Sequence, residues 1–159
     1  MKQSAPLARK TPLRSKSAKP RRVAKTCSRL RCNRPPARGL AMCLTHLRQE
    51  CDRLFSLIVR SRGVCFRCGT DQDLQASHTV PRSYLATRWT EEACEAACKS
   101  CHHWQHMHPL ENQALIDELM PDRLMSLRLL ALYGDKPEYV ELLPRLEARW
   151  AQIRKERDS

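Results

Sequence analysis

The first 49 residues contain neither aspartate nor glutamate; the first acid is Glu50. They carry 14 of the 29 Lys and Arg residues, whereas residues 50–159 carry the other 15 together with all 17 acids. The formal charge of +12 therefore describes a basic arm joined to a near-neutral body. No apolar run reaches the ~18 residues of a membrane span, which excludes a membrane helix. No apolar leader follows the first basic residue, so a secretory signal is not expected and the chain reads as cytoplasmic. Internal repeats are absent as well. A length of 159 residues leaves room for one modest domain or two small ones. Nine cysteines in such a setting are a poor fit to a disulfide framework, and their spacing points to metal.

Residues 1–26 hold nine basic residues and three prolines, with no acid and no aromatic. They cannot bury enough apolar surface to order themselves, so they are predicted to be a disordered arm. Arg9, Lys10, Arg14, Arg21 and Arg22 are its candidate phosphate contacts. Such binding is salt-dependent and largely blind to sequence.

Two cysteine groups follow. Cys27-x4-Cys32 and Cys43-x2-His46 supply three sulfurs and an imidazole, a donor set for tetrahedral zinc, with Cys51 as a substitute ligand. The segment between them is turn-rich and poor in apolar residues, so a metal would supply its fold. Cys65-x2-Cys68-Gly69 and Cys98-x2-Cys101 form the stronger pattern, a four-cysteine site with a long insert. Between the groups, Leu44, Leu47, Leu54, Phe55, Leu57 and Ile58 recur at helical spacing and read as the apolar face of a helix ending near Gly63.

Within the insert, Leu74–Val80 alternates like a strand, with Gly69–Asp73 as the turn of a hairpin whose first strand starts near Val64. Five of the six histidines lie in residues 78–108. A helix starting near Cys98 would place His102 and His106 one turn apart on one face. Phosphodiester hydrolysis needs an activated water and a cation beside the phosphate. A neutral histidine on a rigid strand, His78, suits the first requirement. His102, with His106, suits the second by holding Mg²⁺ or Mn²⁺. Arg82 and Arg88 are candidate clamps for flanking phosphates.

These residues resemble a known family. Cys65-x2-Cys68-Gly69, Ser77-His78-x2-Pro81-Arg82, Arg88-Trp89 and Cys98-x2-Cys101-His102 are similar to the HNH (ββα-metal) endonucleases. The similarity is greatest to the four-cysteine branch found in phages, including the NinG (Rap-like) recombination proteins. It covers roughly residues 50–130. It implies His78 as general base, His102 as a ligand of the catalytic metal, and Cys65, Cys68, Cys98 and Cys101 around structural zinc. It also implies DNA as partner, branched DNA included, and the host cytoplasm as location for a phage-encoded chain. Two positions depart from the family pattern. Ser77 stands where many members have an Asp ligand, and Ala93 stands where the middle Asn orients the histidine or the hairpin.

In the tail, Pro109 ends the histidine helix and Leu110–Leu119 reads as a short helix. Leu124, Leu127, Leu130 and Leu132 mark another up to Gly134, and Asp135 with Glu138 would cap a last one carrying Tyr139, Leu142, Leu143, Leu146, Trp150 and Ile153. These helices read as scaffold or as a homodimer surface. The expected fold is small α+β: a zinc-stabilised ββα core with flanking helices and a disordered basic arm. The expected divisions are the arm (1–26), a zinc segment with its linking helix (27–62), the HNH-like core (63–109) and the helical tail (110–159). The expected function is a metal-dependent DNA endonuclease with two structural zinc ions. The alternative is a non-catalytic zinc module that binds nucleic acid.

Overall fold

The computed structural model describes residues 26–159, so Arg9, Lys10, Arg14, Arg21, Arg22 and the disorder expected of the arm lie outside the described residues. The described chain is a small α+β fold with five α-helices and one two-stranded antiparallel sheet. In chain order these are α1 (Leu44–Arg60), β1 (Leu74–His78), β2 (Cys94–Cys98), α2 (Lys99–Met107), α3 (Pro109–Leu119), α4 (Arg123–Tyr133) and α5 (Tyr139–Asp158). No helix among the described residues is long and apolar enough to cross a membrane.

The α1 helix buries Leu47, Cys51, Leu54, Phe55, Ile58 and Val59, which follow helical spacing along one face. That face packs on Tyr139, Leu142, Leu143, Leu146 and Ile153 of α5 and on Trp89, Cys94 and Ala96 from the hairpin. Leu44, expected on the apolar face, is 60 % exposed because it lies in the first turn, ahead of the packed stretch. Cys51 is a core residue, and burial followed by the nearby Asp52 and Glu50 charges pushes its thiol up to about 11. It is a filler of the core and not a substitute ligand.

The hairpin differs from the sequence expectation. Strand β1 pairs with β2, from Leu74 opposite Cys98 to His78 opposite Cys94. The stretch beginning near Val64 is instead a tight knuckle. Its Cys65 amide donates to the Thr70 carbonyl at 2.7 Å, and its Gly69 amide donates to the Cys65 carbonyl at 2.9 Å. Gly69 takes φ +74°, a left-handed conformation that costs glycine little. The knuckle joins the sheet through one bond, from the Phe66 amide to the Ala96 carbonyl at 2.8 Å. Strand β2 (CEAAC) gives no alternation because all five of its residues are buried. Its alanines let α1 and α2 cover opposite faces of the hairpin.

Beyond Pro109, α3 covers the expected stretch from Pro109 on and α4 ends at Gly134 as expected, whereas α5 starts without its expected cap. Its N-cap is Glu138, with no side-chain bond, and Asp135 lies outside the helix. Ala93 is fully buried among Val80, Ile116, Leu124 and Leu127, where α3 and α4 meet the hairpin loop. An amide placed there would lose water without gaining a partner, at about 1–3 kcal/mol. Ala93→Asn, which restores the residue type of the HNH pattern, is therefore expected to destabilise the chain by that amount in denaturant unfolding. Unchanged or increased stability would contradict this packing.

Candidate metal centres and active site

Cys65, Cys68, Cys98 and Cys101 place their sulfurs within 4.8 Å of one another. Two come from the knuckle and two from the start of α2. Cys68 Sγ lies 3.8 Å from Cys98 Sγ. Tetrahedral zinc with Zn–S of ~2.3 Å sets neighbouring sulfurs ~3.8 Å apart, whereas a disulfide would need ~2.05 Å. All nine cysteines are free thiols. The Cys98 sulfur also accepts the Cys101 amide at 3.4 Å and caps α2. Within this cluster burial acts to raise the Cys65 thiol, but the amides of Cys98, Cys68 and Arg67 outweigh it and bring the thiol down to about 6. Cys101 is pushed the other way, to about 12, by burial and the neighbouring sulfurs. Arg67 donates to Cys101 Sγ at 3.8 Å and lies 3.8 Å over the Trp104 ring, covering one side of the cluster.

The other group behaves alike. Cys27, Cys32, Cys43 and His46 also gather within 4.8 Å, with Cys27 Sγ 3.2 Å and Cys43 Sγ 3.5 Å from His46 Nδ1. Cys43 and His46 sit at the N-cap and first turn of α1, so helix geometry presents both on one side. Burial acts to raise the Cys27 thiol, and the Arg29 and Cys43 amides with His46 overcome it, leaving the thiol at about 6. The two donor sets are geometrically able to hold two metal ions and are consistent with structural zinc. They are the groups of three or more His, Cys, Asp or Glu ligands that converge among the described residues.

Strand alternation divides the remaining candidates between two faces. Gln75 and Ser77 point toward α2, while Ala76 and His78 point toward α1. His102 Nδ1 lies 2.7 Å from Gln75 Oε1. A carbonyl oxygen can only accept, so His102 carries its proton on Nδ1 and keeps a lone pair on Nε2. That Nε2 faces His106 Nε2 at 3.2 Å, close to the ~3.3 Å expected between two imidazole ligands of one tetrahedral ion at ~2.0–2.1 Å. Burial, then the charges of His106 and Arg82, holds His102 below its ordinary value. The hydroxyl of Ser77 donates to Gln105 Oε1, and Gln105 donates in turn to Asn112 Oδ1 at 3.1 Å. Ser77 is thus committed inside the fold. His103 and His108 are exposed, and His108 stacks on Trp104.

His78 lies at the end of β1, where the chain enters the loop of residues 79–93. Its Nε2 is 2.9 Å from the Arg88 carbonyl oxygen. The carbonyl accepts, so the proton sits on Nε2 and the lone pair on Nδ1. Cys94 Sγ is 3.7 Å from that Nδ1, and burial keeps its thiol protonated, up to about 12. Phe55 packs on the ring with centroids 5.8 Å apart. His78 and His106 line one open cleft of about 400 Å³ together with Thr79, Pro81 and Gln105. Of the α2 histidines, His106 shares this cleft with His78, and His102 does not line it.

The arginines divide. Arg88 is only 13 % exposed at its side chain and is held by Asp52, through Nε at 3.0 Å and Nη2 at 2.7 Å. Its guanidinium is spoken for, which corrects its reading as a phosphate clamp. Arg82 is 54 % exposed, with Nη2 3.3 Å from Asp52 Oδ2, and retains donors for an anion. Among the described residues, Glu91 and Glu95 pair with arginines and not with His78, His102 or His106. Glu95 is buried between Arg62 (2.8 Å) and Arg123 (2.6 Å), and Glu91 pairs with Arg149 (3.1 Å). Gln75, Gln105 and Asp52 escaped the sequence reading. Only the strand alternation around Gln75, and the position of Asp52 beside the buried face of α1, hinted at them. Against family models, curated proteins and solved structures, the chain finds no match.

Two outcomes follow. Elemental analysis is expected to find two zinc ions per chain, with Cys27→Ser losing one and keeping a folded hairpin, and Cys65→Ser losing the other with the hairpin fold; one zinc in the unaltered chain would contradict the pairing of clusters. Burial, ahead of the Arg82 and Arg88 charges, lowers His78 below about 6.5. Between the folded and ordinary values the folded chain binds fewer protons than the unfolded one. The stability His78 contributes is therefore complete above about 6.5 and is lost as pH falls through the folded value. NMR titration of its ring is expected to give a midpoint below about 6.5, and a midpoint at or above it would contradict the burial.

Proposed function

We propose that the chain is a metal-dependent DNA endonuclease of the HNH type, with His78 as general base. The observation that carries the reading is the shared cleft. It is lined by a strand histidine, whose Nε2 proton is held by the Arg88 carbonyl, and by His106, whose Nε2 lies 3.2 Å from that of His102. The resemblance to the four-cysteine phage branch, NinG (Rap-like) proteins included, supports the same reading and is the sole support for recombination intermediates as substrate.

In this reading a DNA strand lies along the cleft with its scissile phosphate beside His106. His78 accepts the proton of a water at Nδ1 once that water displaces the weak contact from the Cys94 thiol at 3.7 Å. Its lowered pKa keeps that nitrogen unprotonated near neutral pH, and the Arg88 carbonyl fixes the ring while the proton arrives. Arg82 contributes positive charge toward the flanking phosphate. A divalent ion bound by His102 and His106 would offset the charge that builds on the phosphoryl oxygens. Two imidazoles without a carboxylate would suit a later first-row ion such as Fe²⁺, Ni²⁺ or Zn²⁺ better than Mg²⁺ or Mn²⁺, which would have to draw their remaining ligands from water and phosphate. Gln75 orients His102 for this task, as outer partners of metal-binding histidines commonly do.

The second reading is a zinc-dependent nucleic-acid module without activity. It is favoured by the histidine pair having no third His, Cys, Asp or Glu ligand among the described residues, and by Ser77 being bonded to Gln105. Cleavage of plasmid, linear, single-stranded and four-way-junction DNA separates the two readings. With Mn²⁺ or Mg²⁺ added, the unaltered chain is expected to cut and His78→Ala to lose about 10²–10⁴-fold in rate while still binding DNA. Intact binding with no cutting by the unaltered chain would leave the second reading.

A further inference from the structure

We infer that Asp52, on α1, positions His78 by clamping the loop that supplies its hydrogen-bond acceptor. The inference rests on the nuclease reading only for its catalytic consequence. A histidine whose proton must stay on Nε2 needs a fixed acceptor there, and that acceptor is a loop carbonyl, Arg88 O, at 2.9 Å. A loop carbonyl is only as fixed as its loop. At its base the 79–93 loop is closed by the Thr79 amide and hydroxyl, which donate to the Ala93 carbonyl at 3.0 and 3.1 Å. Nothing at that base reaches Arg88.

Asp52 reaches it. Its Oδ1 accepts from Arg88 Nε at 3.0 Å and Trp89 Nε1 at 2.9 Å, and its Oδ2 accepts from Arg88 Nη2 at 2.7 Å. The paired bonds to Arg88 are the geometrically specific form of an Arg–carboxylate contact. Arg88 then donates from Nη1 to the Arg82 carbonyl at 2.8 Å, which ties the far side of the loop. Arg88 therefore links Asp52, through its side chain, to His78, through its backbone. Phe55, one turn along from Asp52, meets the His78 ring directly. The HNH pattern gives such orientation to the Asn that Ala93 replaces. Here Ala93 is packed in apolar surroundings, and a carboxylate on a helix ahead of the ββα unit takes the task. The α1 helix is thereby part of the site and not only a linker.

The test reads the His78 tautomer by long-range ¹H–¹⁵N correlation in the metal-loaded full chain, with cleavage measured in parallel. The unaltered chain is expected to show one tautomer, protonated on Nε2. Asp52→Asn should mix in the Nδ1-protonated form and, if the chain cuts DNA, slow cutting by about 100-fold, the cost of a catalytic group displaced by about 1 Å. Arg88→Gln breaks the same link from its other end and should do the same, which settles the matter if Asp52→Asn does not fold. A folded variant that keeps the single Nε2 tautomer would overturn the inference, whether or not the chain is a nuclease. So would an unaltered chain whose His78 is not protonated on Nε2. A mixed tautomer in the variants of a chain that never cuts would leave Asp52 as the positioning residue and remove the nuclease reading instead.

Discussion

The rest of the fold depends on the meeting of four sulfurs from two distant stretches of chain. Cys65 and Cys68 lie on the knuckle, Cys98 and Cys101 at the junction of β2 and α2. Two five-residue strands are marginal alone in water. Zinc held by such a site is worth ~10–16 kcal/mol in small peptides, as much as the whole stability of a typical domain, ~5–15 kcal/mol. With an ion in place, the knuckle is pinned against the edge of β2, the start of α2 is fixed, and α2 lies on the hairpin. His78, on β1, and His102 and His106, on α2, hang from that arrangement.

The hairpin then serves two helices at once. Strand alternation sends Gln75 and Ser77 to α2 and His78 to α1, so His102 and His78 are contacted from opposite faces of the hairpin. Small residues in β2 make this layering affordable in space, since Ala96 and Ala97 leave room for a helix on each face. The Cys27, Cys32, Cys43 and His46 donor set lies at the start of α1, the helix that carries Asp52 and Phe55.

Much of this was legible in the sequence. Both ligand sets, the start of α2 beside Cys98 and the breaks at Pro109 and Gly134 follow from spacing and from proline and glycine chemistry. Strand β1 was legible, although the alternation ran on to Val80 and the strand ends at His78, but its partner was not. CEAAC is buried on both faces and lacks the alternation that marks a half-buried strand, so the knuckle residues after Val64 stood in for it. Arg88 looked like a phosphate clamp because a sequence displays charge and not its neutralising partner, which here is Asp52, 36 positions earlier. Asp135 failed as a cap for a related reason: cap chemistry is local, while the start of α5 is set by Tyr139 packing edge-on against Trp89 with ring centroids 5.7 Å apart.

The most direct test of the central claim is hydrogen exchange, by mass spectrometry, on the metal-loaded chain and on the same chain after chelation. The account predicts that Leu74–His78, Cys94–Cys98 and Lys99–Met107 lose protection together on chelation, as one cooperative unit held by the four sulfurs. Retained protection in the hairpin and α2 after the metal is gone would contradict it.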